Sequence, residues 1–344
     1  MRKFLLAVSL LLAGCATVPD RPAAFAPIDD AEMRGLIASL ASDDFEGRMV
    51  GTAGEDKTIA FLAERLKLAG VSGGVAGGGY AMRFDIAERE RPLPAEGPGM
   101  PNGQIAFMKA MNAAGAISSR NVVGVVRGRH SDGKAVVVMA HWDHFGICRP
   151  TDPVDRICNG AIDNASGSAA VLAVAARVAR MRLDRDVWFV LTGAEEWGLL
   201  GAKAFVENPP IPLSSIVAGF NLDTIAIAPK GMPVAMVAAP KTGLEPLVKA
   251  AAQALGRKWD GDDEAAGFLR RQDGWAFAEK DVPMVMAGGS FSDLKLLQAF
   301  LGKAYHGVDD ELTDATDLGG AVDDANLHVE MVRRAASREF EPRR

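Results

Sequence analysis

Imidazole and carboxylate side chains stand at His141, Asp163, Glu195, Glu196, Asp223 and His306. Most of them follow a short β-branched run or sit at the mouth of a polar loop. These are the ligand types of hydrolytic zinc sites, which keep one coordination position open for water. Dispersed as they are, they act together only if a fold gathers them. The chemistry they point to is metal-assisted hydrolysis.

Each motif has a plainer reading when taken alone. A histidine at a strand end, such as His141, often has only a structural role. In His141-Trp142-Asp143-His144 the nearby Asp143 argues for ligation, because a metal-bound imidazole usually donates its second N–H to a carboxylate. The two-residue offset lets Asp143 bend back as an outer partner. His144 reads equally as pocket lining or as loop polarity. Asp163 lies in Asn159–Gly167 (NGAIDNASG), a polar turn directly before a helix, and fits either a helix cap or a carboxylate bridging two metals. Glu195 and Glu196 fit a solvated turn, or a pair in which one carboxylate holds metal and the other is a general base.

The elements that must position these groups alternate along the chain. Helices are expected over Ile28–Ser42, Glu55–Leu68, Ala165–Met181, Trp197–Val206, Thr242–Leu255 and Trp275–Lys280. Valine-rich strands are expected over Asn121–Val126, Lys134–Ala140, Asp186–Leu191, Ile216–Leu222 and Val282–Met286. Strands alternating with helices imply an α/β fold, a three-layer α/β/α sandwich around a mixed, mainly parallel sheet. His141, the Glu195-Glu196 pair and Asp223 then fall just past the carboxyl ends of three strands, where α/β folds place their sites. Phe45–Gly54 reads as a polar loop and Gly70–Gly79, with six glycines, as a flexible turn. Glu88–Ala116 reads as an irregular excursion from the sheet.

Composition narrows the remaining classes. With 49% hydrophobic and 24% charged residues the 344-residue chain can bury a sizeable core, and its net charge of -6 argues against a nucleic-acid surface. Arg2 and Lys3 followed by the apolar Phe4–Leu12 read as an export signal over residues 1–14, too short to span a membrane. Leu12-Ala13-Gly14-Cys15 resembles a bacterial lipobox, which makes Cys15 the lipidation site and residues 15–27 a tether to a catalytic domain over residues 28–344. That places the protein in the cell envelope, on the periplasmic side of the outer membrane, with a lipid as its only membrane contact. In an exported protein the remaining pair, Cys148 and Cys158, points to a disulfide, although zinc ligation is the other use of such cysteines.

Taken together the motifs resemble the co-catalytic dizinc aminopeptidases of metallopeptidase family 28. The resemblance runs from FEGRMVGTAG (Phe45–Gly54) to Asp310. It rests on His141 to Asp143, Asn159–Gly167, Glu195-Glu196 followed by Gly198-Leu199-Leu200-Gly201, Asn221-Leu222-Asp223, and Tyr305-His306 before Asp309-Asp310. It implies two Zn²⁺, with His141 and Asp223 on one, Glu196 and His306 on the other, and Asp163 bridging. It further implies Glu195 as general base, Tyr305 as donor to the oxyanion, and peptides with a free N-terminus as substrates. Where members often carry Ser-Asp-His, this chain has Gln272-Asp273-Gly274, which leaves the metals untouched and changes the pocket. Arg271 beside it is a substrate contact or a surface residue. Other activities on this scaffold are a one-zinc glutaminyl cyclase, a carboxypeptidase and a non-catalytic binding module.

Overall fold

Local chemistry fixes where the elements begin. In the computed structural model, which describes residues 26–86, 117–130, 132–240 and 242–342, the Asp29 carboxylate accepts the Glu32 N–H at 2.9 Å and caps the helix Asp30–Leu40. The export segment, Cys15 and the Glu88–Ala116 stretch lie outside the described residues, as does most of the tether. Among the described residues no helix is long and apolar enough to cross a membrane.

Among the described residues eight strands form one sheet: β1 (Ser72–Gly73), β2 (Ala81–Ile86), β3 (Ile117–Val126), β4 (Ala135–His141), β5 (Asp186–Thr192), β6 (Ile216–Asn221), β7 (Ala235–Ala238) and β8 (Met284–Gly288). Their order is β1-β3-β5-β4-β6-β8-β7, and β2 also pairs with β3. The four central strands, β5, β4, β6 and β8, run parallel, while the pairs at both edges are antiparallel. Every residue of β4 and of β6 is buried, as expected of parallel strands covered on both faces.

One face carries the helices Asp30–Leu40, Gly167–Val178, Glu245–Ala254 and Gly319–Ala335, which pack Val136, Val138, Phe189 and Phe220 beneath them. The other carries Leu200–Glu207 and Gly274–Ala278 over Val137, Met139, Trp188 and Val190. This is the three-layer α/β/α sandwich with a mixed, mainly parallel sheet that the alternating pattern implies.

Several boundaries differ from expectation for identifiable reasons. The helix expected from Thr242 starts at Glu245, where Pro246 suits the first turn. The helix expected from Trp197 starts at Leu200, because Ala194–Leu199 is spent on a turn in which the Glu195 carbonyl accepts the N–H groups of Gly198 and Leu199 at 2.8 and 2.9 Å. Gly70–Gly79 is more than a turn: Ser72 and Gly73 pair with Val125 and Gly124 on the outer edge of β3. Phe45–Gly54 is mostly the polar loop expected: Glu46, Gly47 and Arg48 have positive φ of 52°, 66° and 51°, and only its last two residues open the helix Ala53–Leu68.

Candidate metal centre and active site

Three parallel strands end at one edge of the sheet and deliver carboxylates and an imidazole there. His141 is the last residue of β4, Glu195 and Glu196 follow β5, and Asp223 follows β6. Asp163 arrives from the turn Ala161–Ser166 before the next helix, and His306 from the loop after the helix Leu294–Leu301. All the sequence-derived candidate ligands converge. The His141 Nε2 lies 3.2 Å from Asp163 Oδ1 and 3.5 Å from Asp223 Oδ1. The His306 Nε2 lies 3.4 Å from Asp163 Oδ2 and 3.0 Å from Glu196 Oε2. Asp163 therefore turns one carboxylate oxygen to each imidazole, and two ligand groups share it.

The turns that hold these side chains are strained. Ala194, Leu199, Thr224 and His306 have φ of 56°, 63°, 49° and 60°, in the left-handed region that non-glycine residues avoid. Each such residue costs about 1–3 kcal/mol, and all four flank or carry a site carboxylate or imidazole. Gly160, at φ 58°, is a position where only glycine fits, because a Cβ there would run into the Asp163 carbonyl and the His144 ring.

Outer partners fix the inner ones. The expected pairing of the His141 ring with the Asp143 carboxylate is only loosely met: Nδ1 lies 3.2 Å from the Asp143 carbonyl and 3.8 Å from its Oδ1. The Asp143 carboxylate instead accepts the Glu195 and Glu196 N–H groups at 3.1 and 3.4 Å, orienting that pair. His144 is buried, with Nδ1 3.1 Å from Glu196 Oε1, so it belongs to the site rather than to loop polarity. Asn164 donates to the Leu222 carbonyl at 3.0 Å and accepts the Thr224 N–H at 3.3 Å, tying the Asp163 turn to the Asp223 turn.

Two groups to which the sequence reading gave no role lie beneath the site. Arg48 is fully buried and donates to the carbonyls of Trp142, Leu40, Asn159 and Gly160 at 2.6–2.8 Å. Asp310 accepts the N–H groups of Ile162 and Asp163 at 2.8 and 2.9 Å. Both belong to segments the family resemblance spans, but nothing in their spacing marks them as partners. Asp273 is a third buried carboxylate close by; its Oδ2 takes the Thr192 hydroxyl and its Oδ1 has no partner.

The Cys148–Cys158 disulfide forms as expected. It packs with Phe145 and Val308 under the His306 loop, and the Phe145 ring lies 4.3 Å from the His306 ring, centroid to centroid. Tyr305 stacks on His306 at 3.6 Å.

So many buried carboxylates leave an excess of negative charge. Burial pushes Glu195 well above the usual carboxylate range, and Asp143 up to about 7. Burial also opposes ionisation of Asp163, but the His141 and His306 imidazoles, at 3.2 and 3.4 Å, outweigh it and hold that group low. His306 is itself raised to about 10: burial works against its charge, and Glu196 and Asp163 prevail. Buried charge of this kind calls for cations. The donor set of imidazole nitrogens and carboxylate oxygens suits zinc, and the His306 Nε2 is buried without a hydrogen-bond partner of good geometry, as a ligand nitrogen would be. Ligand atoms of His141, Asp163 and Asp223 lie within 4.8 Å of one another, and so do those of His144, Asp163 and Glu196. The residues present fit a metal centre.

Beside it opens a cleft with apolar walls from Phe268, Met286, Phe291, Leu297 and Leu301. Thr224, Arg271, Gln272 and Tyr305 also line it. Gly274, where a histidine was expected to matter, does not. Its N–H donates to the Gln272 Oε1 at 2.7 Å, and Gln272 takes the place at the wall.

Comparison with known proteins gives this site a setting. The chain is 32% identical to aminopeptidase YwaD of Bacillus subtilis over 112 residues, covering 31% of this chain and 22% of that protein. It is 28% identical to the probable lipoprotein aminopeptidase LpqL of Mycobacterium tuberculosis over 222 residues, 63% of this chain and 37% of that one. The matched stretches thus span well under half the length of these relatives. Among solved structures, BSAP, a zinc aminopeptidase from Bacillus subtilis, superposes with a TM-score of 0.64 at 16% identity, over 92% of this chain and 98% of that one. At that identity the likeness is one of fold. The model of peptidase family M28 matches residues 121–328, more than half of the chain, a span that holds all the converging imidazoles and carboxylates. The chain belongs to peptidase family M28.

Proposed function

We propose that this protein is a zinc-dependent aminopeptidase that removes N-terminal residues from peptides. The observation that carries the reading is Asp163, with Oδ1 at 3.2 Å from the His141 Nε2 and Oδ2 at 3.4 Å from the His306 Nε2. A carboxylate so shared suits a site for two ions, with His141 and Asp223 on one side, Glu196 and His306 on the other, and Asp163 between. Bound there, a pair of zinc ions would polarise a peptide carbonyl and acidify water.

The chain's own groups supply the rest. Glu195 is buried in the cleft wall beside Asp163 and Asp223. With its pKa raised by burial it is suited to take the proton of the attacking water and return it to the leaving amine. The Tyr305 hydroxyl, on the same wall, is a donor for the oxyanion; burial keeps it protonated. Asp143 orients Glu195 and Glu196 through their N–H groups. A free substrate amine is drawn to the acidic cluster, which favours cleavage at the N-terminus.

In this reading residues 1–14 are a signal peptide, Cys15 carries a lipid, residues 15–27 are a tether, and residues 28–344 are the catalytic domain in the bacterial envelope. The likeness to a probable lipoprotein aminopeptidase supports the anchor. A one-metal glutaminyl cyclase would have no use for the separate group formed by His141 and Asp223.

Aminoacyl amides and N-blocked peptides assayed with and without chelator test the proposal, alongside zinc analysis. Unblocked substrates should be cleaved, blocked ones spared, and chelator should abolish turnover at about two zincs per chain. Cleavage of blocked peptides, or cyclisation of N-terminal glutamine at one zinc, would replace this reading.

A further inference from the structure

The cleft that takes the substrate is not uniformly acidic. Asp163, Glu195 and Asp223 line it from the strand ends, yet Arg271 lines it too, from the 3₁₀ turn Glu264–Arg271. Arg271 is the single cation among the lining residues. Its guanidinium lies over the Phe268 ring, 5.4 Å from the centroid, and Phe268 is itself a wall residue. Stacking on an aromatic face fixes the guanidinium plane and leaves its edge N–H groups free to donate. Among the described residues no carboxylate pairs with it.

We propose that Arg271 is the carboxylate-recognising group of the substrate cleft, so that the preferred substrates are short peptides carrying both a free α-ammonium and a carboxylate. The inference rests on the aminopeptidase reading and deepens it. The ammonium meets the acidic cluster, the apolar walls take the intervening hydrocarbon, and the planar Arg271 fork receives the carboxylate. That carboxylate comes either from the C-terminus of a dipeptide or from an acidic N-terminal side chain. A long peptide with a neutral N-terminal residue offers neither, and gains nothing from Arg271.

The two sources separate in matched pairs. Leu-Leu against Leu-Leu-amide varies only the terminal carboxylate; Glu-Leu-amide against Gln-Leu-amide varies only the side chain. Specificity constants, kcat/KM, are measured for the wild type, Arg271→Ala and Arg271→Lys. At least one pair should favour the carboxylate fivefold or more in the wild type, and that pair names the source. In Arg271→Ala the ratio should collapse to near one, and Arg271→Lys should restore part of it. Ratios near one in the wild type, or a preference that survives Arg271→Ala, would overturn the proposal. The same pairs with the scissile carbonyl reduced to methylene are titrated by calorimetry, and the same ratios are expected in affinity. Absence of turnover on every peptide would count against the aminopeptidase reading alone, because the calorimetric ratios still decide the role of Arg271.

Discussion

Arg48 and Asp310 hold the same short loop from opposite chemical sides. Arg48 donates to the carbonyls of Asn159 and Gly160 at 2.6 and 2.8 Å, while Asp310 accepts the N–H groups of Ile162 and Asp163 at 2.8 and 2.9 Å. Between them they engage four backbone groups of the run that carries the Asp163 side chain. Both residues are buried, and their charges face each other across the loop: burial lowers Arg48 to about 10 and raises Asp310 to about 7, each shift moderated by the partner charge.

Loosening that grip should weaken metal binding before it unfolds the protein. Asp310→Asn keeps the volume but loses the charge that favours both N–H bonds. Outer partners of this kind change metal affinity by about 10–100-fold, and a loss of that size is expected in chelator competition with the far-UV spectrum unchanged. Arg48→Ala is a harsher change. It leaves four buried carbonyls without a donor and the nearby buried carboxylates without a counter-charge, and should cost about 3–5 kcal/mol in denaturant unfolding.

Glu195→Gln separates proton transfer from metal binding. Glu195 is assigned no metal, so zinc content should stay at the wild-type level. Turnover should fall by about 10²–10⁴, the usual worth of a positioned base. Activity near the wild-type value would remove Glu195 from its role.

Asp163→Asn tests the shared carboxylate. An amide offers one neutral oxygen in place of two charged ones, so one side of the site loses its link. Zinc analysis of the purified variant should give about one equivalent or less, and activity should disappear with it. Retention of two tightly held ions would show that the bridge is dispensable.

A pH effect on stability is expected far from the centre, at His328. This ring is buried, donates through Nδ1 to the Asp324 carbonyl at 2.7 Å, and has no partner at Nε2. Burial pushes it down to about 4, with the Arg257 charge adding to the effect. The unfolded chain takes up the proton near the ordinary histidine value of about 6.5 and the folded one does not. Its contribution is therefore intact above that value and is lost as pH falls from about 6.5 to about 4. Asp324, raised to about 6 by burial against Arg257, titrates in the opposite sense, but it is present in wild type and variant alike. His328→Asn should then lose less stability than the wild type between pH 7.5 and pH 5, by about 1–2 kcal/mol. Parallel melting curves at the two pH values would refute this.

Much of this site was legible along the chain. Parallel strands buried on both faces read as continuous valine-rich runs, so β4, β5 and β6 and the positions just past their ends could be found by pattern alone. His141, Glu195, Glu196 and Asp223 inherit their place from those strand ends. The edge strands were harder. β2 and β7 are short and partly exposed, and their pairing depends on partners distant in the chain. The helix Leu294–Leu301 before His306 was missed as well.

What residue types and order determined by themselves is the kind of chemistry and the architecture that delivers it. Tertiary structure alone decided the rest: that Asp143 serves the Glu195 and Glu196 amides more than the His141 ring, that Arg48 fills the space under the site, and that Arg271 enters the cleft. The reason is physical. A strand end can be inferred from a local hydrophobic pattern, whereas a hydrogen-bond partner is chosen by distances of about 3 Å between segments that only packing brings together.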